Sequence, residues 1–222
     1  MLLKDFIHIN PKVELTKDEV YPYVEMSEVN PAKGYVRKSI NRKFKGGGAK
    51  FEDGDTLFAR ITPCLENGKI SRFKSNGSDT KKGFGSTEFI VFRAKEGISD
   101  PDFVYYLSKS SIVKGAAEKS MSGSSGRQRA DINVIKNIKI DPPDFDTQSQ
   151  IASILSAFDD LIENNTRRIE ILEEMARWIY REWFVHFRYP GHEHDRLVDS
   201  EMGEIPEGWE VAPFDKYLEV LT

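Results

Sequence analysis

From Thr147 to Phe187 the sequence contains neither proline nor glycine. At about 1.5 Å per residue, such a stretch makes a helix about 60 Å long. Pro142 and Pro143 stop whatever precedes it, Asp146 or Thr147 is placed to cap it, and Thr147 with Gln150 has capping-box spacing. Its apolar residues are more restrictive than its length. Ile151, Leu155, Phe158, Ile162, Asn165, Ile169, Leu172, Ala176, Ile179 and Trp183 follow one another in alternating steps of four and three. That is the period of a coiled-coil seam, not the 3.6-residue stripe of a helix lying on a globular core. Asn165 is the one polar residue in the seam, and a buried asparagine there selects register or partner at a cost in stability. A lone helix cannot bury such a seam, and the sequence holds no second helix of this length. The seam therefore predicts pairing with another copy or another protein. A second row, Ile154, Leu161, Met175 and Trp178, is placed to pack on the preceding domain or on a partner.

What precedes the helix reads differently. Residues 1–146 carry short strand signals at 23–26, 55–61, 88–94 and 135–140, separated by turn-rich loops. A helical stretch follows Asp100, with Pro101 at its first position. No repeated βαβ spacing is present. The predicted class is α+β: a mixed α/β domain over 1–146, one long coiled-coil helix over 147–188, and a linker with the start of something further over 189–222. Charge divides along the same line. Residues 1–146 hold 25 Lys and Arg against 20 Asp and Glu, whereas 147–222 hold 7 against 16. A basic first part joined to an acidic second part points to two jobs. The single cysteine, Cys64, forms no internal disulfide, and no run is apolar enough to span a membrane, so a reducing, cytoplasmic setting is expected.

Catalytic signatures are weak. "GGGAKF" (46–51) lacks the Gly-Lys-Ser/Thr that closes a phosphate loop, and "GFGSTE" (83–88) lacks a third glycine. "HEH" (192–194) lies in an acidic linker, and its histidines pair with no cysteine. "DPPDF" (141–145) is not the Asn-Pro-Pro-aromatic tetrad of an adenine methyltransferase and reads as a hinge. No cofactor or metal site is expected in this chain. The domain is instead rich in basic glycine and serine loops. One spans 37–51 with Lys43, Lys45 and Lys50. Another, at 60–74, places Arg60, Thr62, Asn67 and Lys69 around a turn. A third, at 120–130, holds Ser122, Ser124, Ser125, Arg127, Gln128 and Arg129. Arginine can bridge guanine O6 and N7, glutamine adenine N6 and N7, and hydroxyls and loop amides reach phosphates. Three such loops in one domain point to double-stranded DNA. Base reading is expected from the Arg60–Lys69 turn and the Ser122–Arg129 loop, and phosphate contact from Lys43, Lys45, Lys50, Lys81 and Lys82.

"GDTLFARITPCLENGKI", "STEFIVFRA", "INVIKNIKIDPP", the helix block from Gln150 to Phe187 and "GEIPEGWE" resemble, in that order, the specificity (S) subunits of type I restriction–modification systems. The resemblance implies a target recognition domain that reads half of a split DNA site, and a long helix that acts as spacer and docks methyltransferase subunits. It implies a non-catalytic chain. S-adenosylmethionine and the adenine chemistry would belong to the modification subunits, and ATP with Mg²⁺ to a separate restriction subunit. Such subunits carry two recognition domains and two helices. Here "FDKYLEV" (214–220) repeats the pattern of "LKDFIHI" (3–9), as if a second domain were beginning. The expectation is half of an S subunit that pairs its helix with a second copy to read a symmetric split site. Three other classes stay open: a stand-alone dimeric DNA-binding regulator, an inactive truncated fragment, and a piece of a fused methyltransferase.

Overall fold

The computed structural model describes residues 1–36, 40–75, 80–124 and 126–213. The chain divides into two compact units, Met1–Glu163 and Asn164–Thr222. In the first unit α1 (Leu3–Phe6) and β1 (Ile7–Ile9) lead to β2 (Val20–Val24), β3 (Tyr35–Val36), β4 (Ile40–Lys43) and β5 (Ala49–Glu52). Then come β6 (Thr56–Ala59), β7 (Ile70–Phe73), β8 (Lys82–Gly85) and β9 (Phe89–Ala94). The helices α2 (Pro101–Lys109), α3 (Val113–Lys119) and α4 (Ile132–Lys136) precede the long helix α5 (Phe145–Tyr180). A five-stranded sheet has the order β1-β9-β6-β7-β3 and a four-stranded sheet the order β4-β2-β8-β5. Pairing is antiparallel except for β3 with β7 and β2 with β8. The architecture is α+β with a long helix, as its sequence predicts.

The burial of β6 and β9 explains their unbroken apolar runs. A strand covered on both faces does not alternate. One face of the larger sheet, with Phe58, Ile70, Ile90 and Phe92, packs against Leu3, Phe6, Val104, Tyr105, Val113 and Ile135 from the helices and α1. The other face, with Val36, Leu57, Phe73 and Val91, packs against Val24 and Phe51 of the smaller sheet. The larger sheet is thus the middle layer, between helices and the smaller sheet. "GFGSTE" belongs to this packing. Any Cβ at Gly83 would meet the Phe51 and Phe73 rings, and one at Gly85 would meet the Val24 carbonyl, so these glycines permit close sheet contact.

Three local expectations change. The strand expected at 135–140 is the end of α4, which Asp131 starts by accepting from Asn133 N at 2.7 Å. Only a single bridge, Leu2 with Lys139, follows it. The helix after Asp100 is two helices, because Ser110 bonds back to the Leu107 carbonyl through both its amide and its hydroxyl, at 3.1 and 2.6 Å. The cap of α5 is neither Asp146 nor Thr147 but Asp144, whose carboxylate accepts from Thr147 N and Thr147 Oγ1 at 2.9 and 3.1 Å.

The "DPPDF" segment is fastened rather than slack. Gln148, in the first turn of α5, is buried and donates to the Ile98 and Pro143 carbonyls while accepting from Asp100 N. Removing it would take a side-chain partner from three partly buried backbone groups, a loss of about 0.5–1.5 kcal/mol for each hydrogen bond. Farther along α5, Tyr106 donates to Asp159 Oδ2 at 2.8 Å and meets Ser156 Oγ at 3.2 Å. Burial pushes Tyr105 up to about 12 and raises Tyr106 as well, so both stay protonated at neutral pH. Beneath them the buried Arg72 pairs with Asp102 and lies 4.0 and 4.5 Å from the Tyr35 and Tyr105 ring centres. The face of α5 that meets the domain is therefore Gln148, Ala152, Ser156 and Asp159. Ile154 and Leu161, placed to pack on the domain or on a partner, do not pack on the domain: they are 61% and 53% exposed.

In the second unit α5 ends in a π-helical turn, Arg181–Val185. The hairpin β10 (Leu197–Ser200) and β11 (Gly203–Pro206) follows. Trp209 of the "PEGW" segment contacts the rings of Phe184, Phe187 and Tyr189 at centroid distances of 5.5–5.9 Å. Residues 214–220, which repeat the pattern of 3–9, lie outside the described residues.

Candidate nucleic-acid interface

The two loops expected to read bases are stitched together. Thr62 N donates to the Gln128 carbonyl at 3.0 Å and Ala130 N to the Arg60 carbonyl at 2.8 Å. Ser122 and Arg129 exchange backbone hydrogen bonds at 3.1 and 2.9 Å, closing the 122–129 loop into a small hairpin. Ser122, Ser124 and Arg127 are exposed on it and Gln128 is half-buried, while Ser125 lies outside the described residues. On the other side Arg60 N donates to the Glu88 carbonyl at 2.9 Å. Segments 86–89, 60–62 and 128–130 thus run side by side at one end of the larger sheet.

From there a basic groove extends. A cleft holding Lys12, Lys50, Arg60 and Thr87 adjoins one holding Arg42, Lys43, Lys45, Ser86 and Thr87, and the two share Gly48 and Thr87. Gly46, Gly47 and Gly48 all have positive φ, which only glycine adopts readily. A side chain on Gly48 would also collide with the Gly85 carbonyl. The glycine run therefore lets the Lys43–Lys50 turn lie flat on the smaller sheet, with Lys43 and Lys45 exposed.

Not every expected residue joins this face. Lys81 and Lys82 line a separate cleft with Glu52 and Asp53. Register pairs Lys82 with Glu52 but Gly85 with Ala49, so the two lysines sit at the opposite end of β8 from the groove. Lys82 Nζ donates to the Glu14 carbonyl at 3.2 Å, and Lys69 Nζ to the Met26 carbonyl at 2.8 Å. Thr62 Oγ1 faces the Met121 sulfur at 3.7 Å, and Asn67 is exposed at the turn's tip. Arg42 belongs to the basic 37–51 loop, whereas nothing in the sequence singles out Lys12, Ser86 or Thr87. Arg42 stands 4.2 Å over the Tyr23 ring, and no local pattern announces that stack. Glu88 is the other unforeseen member. Arg129 holds its carboxyl below the usual carboxylate range through hydrogen bonds of 2.6–3.1 Å.

A second surface lies on α5. Every seam position from Ile151 to Trp183 is exposed, with Phe158, Ile162, Ile169 and Leu172 between 55% and 62% open. Leu155, Asn165, Ala176 and Ile179 are open as well. Among the described residues no group of histidine, cysteine, aspartate or glutamate is arranged to hold a metal ion. No helix of the described residues is long and apolar enough to cross a membrane.

The family model described as "Type I restriction modification DNA specificity domain" matches residues 3–174. The chain belongs to this family. Among curated members, the type I restriction enzyme MjaIX specificity subunit of Methanocaldococcus jannaschii is 35% identical over 217 residues, covering 97% of this chain and 45% of that protein. The MjaVIII specificity subunit of the same organism is 33% identical over 140 residues, covering 63% of this chain and 32% of that one. The chain thus spans about half or less of the length of these relatives. Its fold is shared with the S subunit of a type I restriction–modification system from M. genitalium, with a TM-score of 0.57, 17% identity, and coverage of 90% of this chain and 51% of that one. It is shared too with the HsdS subunit from Thermoanaerobacter tengcongensis, with a TM-score of 0.55, 17% identity, and coverage of 74% and 42%.

Proposed function

We propose that this chain is the DNA-reading, non-catalytic component of a type I restriction–modification complex, and that it works as a homodimer paired through α5. Residues 1–146 form one target recognition domain. The basic groove from Lys43 through Lys50 to Arg60 follows the phosphate backbone, and the joined 60–69 and 122–129 loops present Arg127, Gln128, Arg129 and serine hydroxyls to base edges. Residues 147–188 form the spacer, and 189–222 a linker with the opening of a second domain. Adenine methylation, with its S-adenosylmethionine, is assigned to modification subunits, and ATP-driven cleavage to a restriction subunit.

One observation carries the reading. The domain that bears the groove buries apolar cores of its own, yet the helix leaving it exposes an apolar seam over more than four heptads. A two-fold pair of such helices buries both seams and sets two grooves at a fixed separation. Two-fold pairing implies a symmetric target, the same half-sequence in inverted order about a spacer that is not read. Family membership and the fold shared with solved S subunits support the DNA-reading part.

Selection from a pool of randomised DNA duplexes by the full chain, co-expressed with a modification subunit, tests the proposal. The expected result is enrichment of an inverted, split motif. Enrichment of a single unrepeated half-site, or of nothing, would contradict it.

A further inference from the structure

Glu88 sits where an acid is unexpected, in the middle of the face that is to meet DNA. Its backbone is fixed, with its amide bonded to Ser86 Oγ at 3.2 Å and its carbonyl to Arg60 N at 2.9 Å. Its side chain therefore leaves from a defined point beside two arginines. Arg129 Nε donates to both carboxylate oxygens, at 3.1 and 2.9 Å, and Arg129 Nη2 donates to Oε1 at 2.6 Å. Arg60 Nε is buried, makes no hydrogen bond, and lies 4.0 Å from Glu88 Oε2. One carboxylate thus anchors one arginine fully and holds a second within reach.

The edges of the guanidinium decide what this does. Glu88 occupies the Nε–Nη2 edge of Arg129. The Nη1–Nη2 edge remains, with its two parallel N–H groups, and it is the fork that matches guanine O6 and N7. The Arg129 side chain is 44% exposed, and among the described residues its Nη1 makes no hydrogen bond. An arginine on a glycine- and serine-rich hairpin would otherwise lose rotamer freedom on binding. Held by a bidentate carboxylate, it has already lost it.

We propose that Glu88 is a positioning residue that orients Arg129 to read one guanine in each half-site. This rests on the DNA-reading role above. Glu88 would touch no base itself. Its effect would be confined to the base pair under Arg129, with no uniform contribution to affinity.

The test scores base preference position by position, using the same randomised duplex pool, for wild type, Glu88→Gln, Glu88→Asp and Arg129→Ala. Arg129→Ala should abolish preference for guanine at one position per half-site. Glu88→Gln and Glu88→Asp should each reduce preference at that same position, on the order of ten-fold, and leave the other positions as in wild type. Glu88→Asp keeps the charge and shortens the reach, which separates positioning from charge. Glu88→Gln combined with Arg129→Ala should be no worse than Arg129→Ala alone. The proposal is overturned if both Glu88 variants change affinity for all sequences by one common factor, or if they act at a different position from Arg129→Ala. A wild-type chain that enriches a motif indifferent to Glu88 overturns this inference alone. A wild-type chain that enriches no motif overturns the parent reading and this inference with it.

Discussion

A chain carrying Ile169→Asp and Leu172→Asp is expected to sediment as a monomer at concentrations where the unaltered chain sediments as a dimer. Both side chains are more than half exposed on α5, at 57% and 62%, and both lie outside the Met1–Glu163 unit, so the substitutions leave the folded domain untouched. In a helix pair the same positions turn inward, and each pair would bury four carboxylates among apolar side chains. Burying an unpaired charge costs several kcal/mol. Even about 2 kcal/mol for each of the four weakens association roughly a million-fold. Asn165→Leu should act in the opposite direction, tightening association while removing the polar contact that selects one register. A double-aspartate variant that stayed dimeric in analytical ultracentrifugation would place the contact elsewhere.

The second large effect is electrostatic. Replacing Lys43, Lys45 and Lys50 by alanine should weaken DNA binding about equally for every sequence and flatten its dependence on salt. Each phosphate contact contributes about 0.9 to the slope of log affinity against log salt, so three lost contacts reduce the slope by about 2.7 per protomer. Over a four-fold rise in salt that amounts to about 40-fold less loss of affinity. Lys81→Ala with Lys82→Ala is expected to leave the slope unchanged, because these two line a different cleft beside Glu52 and Asp53. Fluorescence anisotropy over a salt series separates the two sets. Equal slopes in both variants would mean that the DNA path does not follow the Gly46–Gly48 turn.

How far these features could be read from sequence depended on the range of the interactions that make them. The long helix and its apolar repeat are legible because a heptad repeat is a local property, visible wherever Ile169 and Leu172 keep step with Ile151. The buried runs of β6 and β9 were legible for the same reason, since "LFA" and "FIVF" have no polar face to offer solvent. Sequence alone does not single out the cap of α5, because Asp144, Asp146 and Thr147 are all competent. The choice fell to Gln148, which reaches back 48 and 50 residues to Asp100 and Ile98. The apolar spacing at 135–140 has the look of a strand, but Asp131 caps a helix that takes Ile135 and Lys136 and leaves only a single bridge at Lys139.

The site divided similarly. Composition marked the three basic loops, but not which of their charges face outward. Lys69 is tied to a carbonyl 43 residues away and Lys82 to one 68 residues away. Composition also could not show that the 60–69 turn and the 122–129 loop are hydrogen-bonded neighbours, or that Glu88 would stand between Arg60 and Arg129. In its own stretch Glu88 is simply the residue before a strand.

Methylation mapping tests most directly whether two copies of this chain make one symmetric reader. The chain is co-expressed with a competent modification subunit in a host lacking other adenine methylation, and the host DNA is sequenced for N6-methyladenine. A helix-paired dimer should leave methyl marks on an inverted, split motif whose two halves are identical. The double-aspartate variant at Ile169 and Leu172 should erase those marks. Marks on an asymmetric motif, or a symmetric motif that survives the double-aspartate change, would contradict pairing through α5.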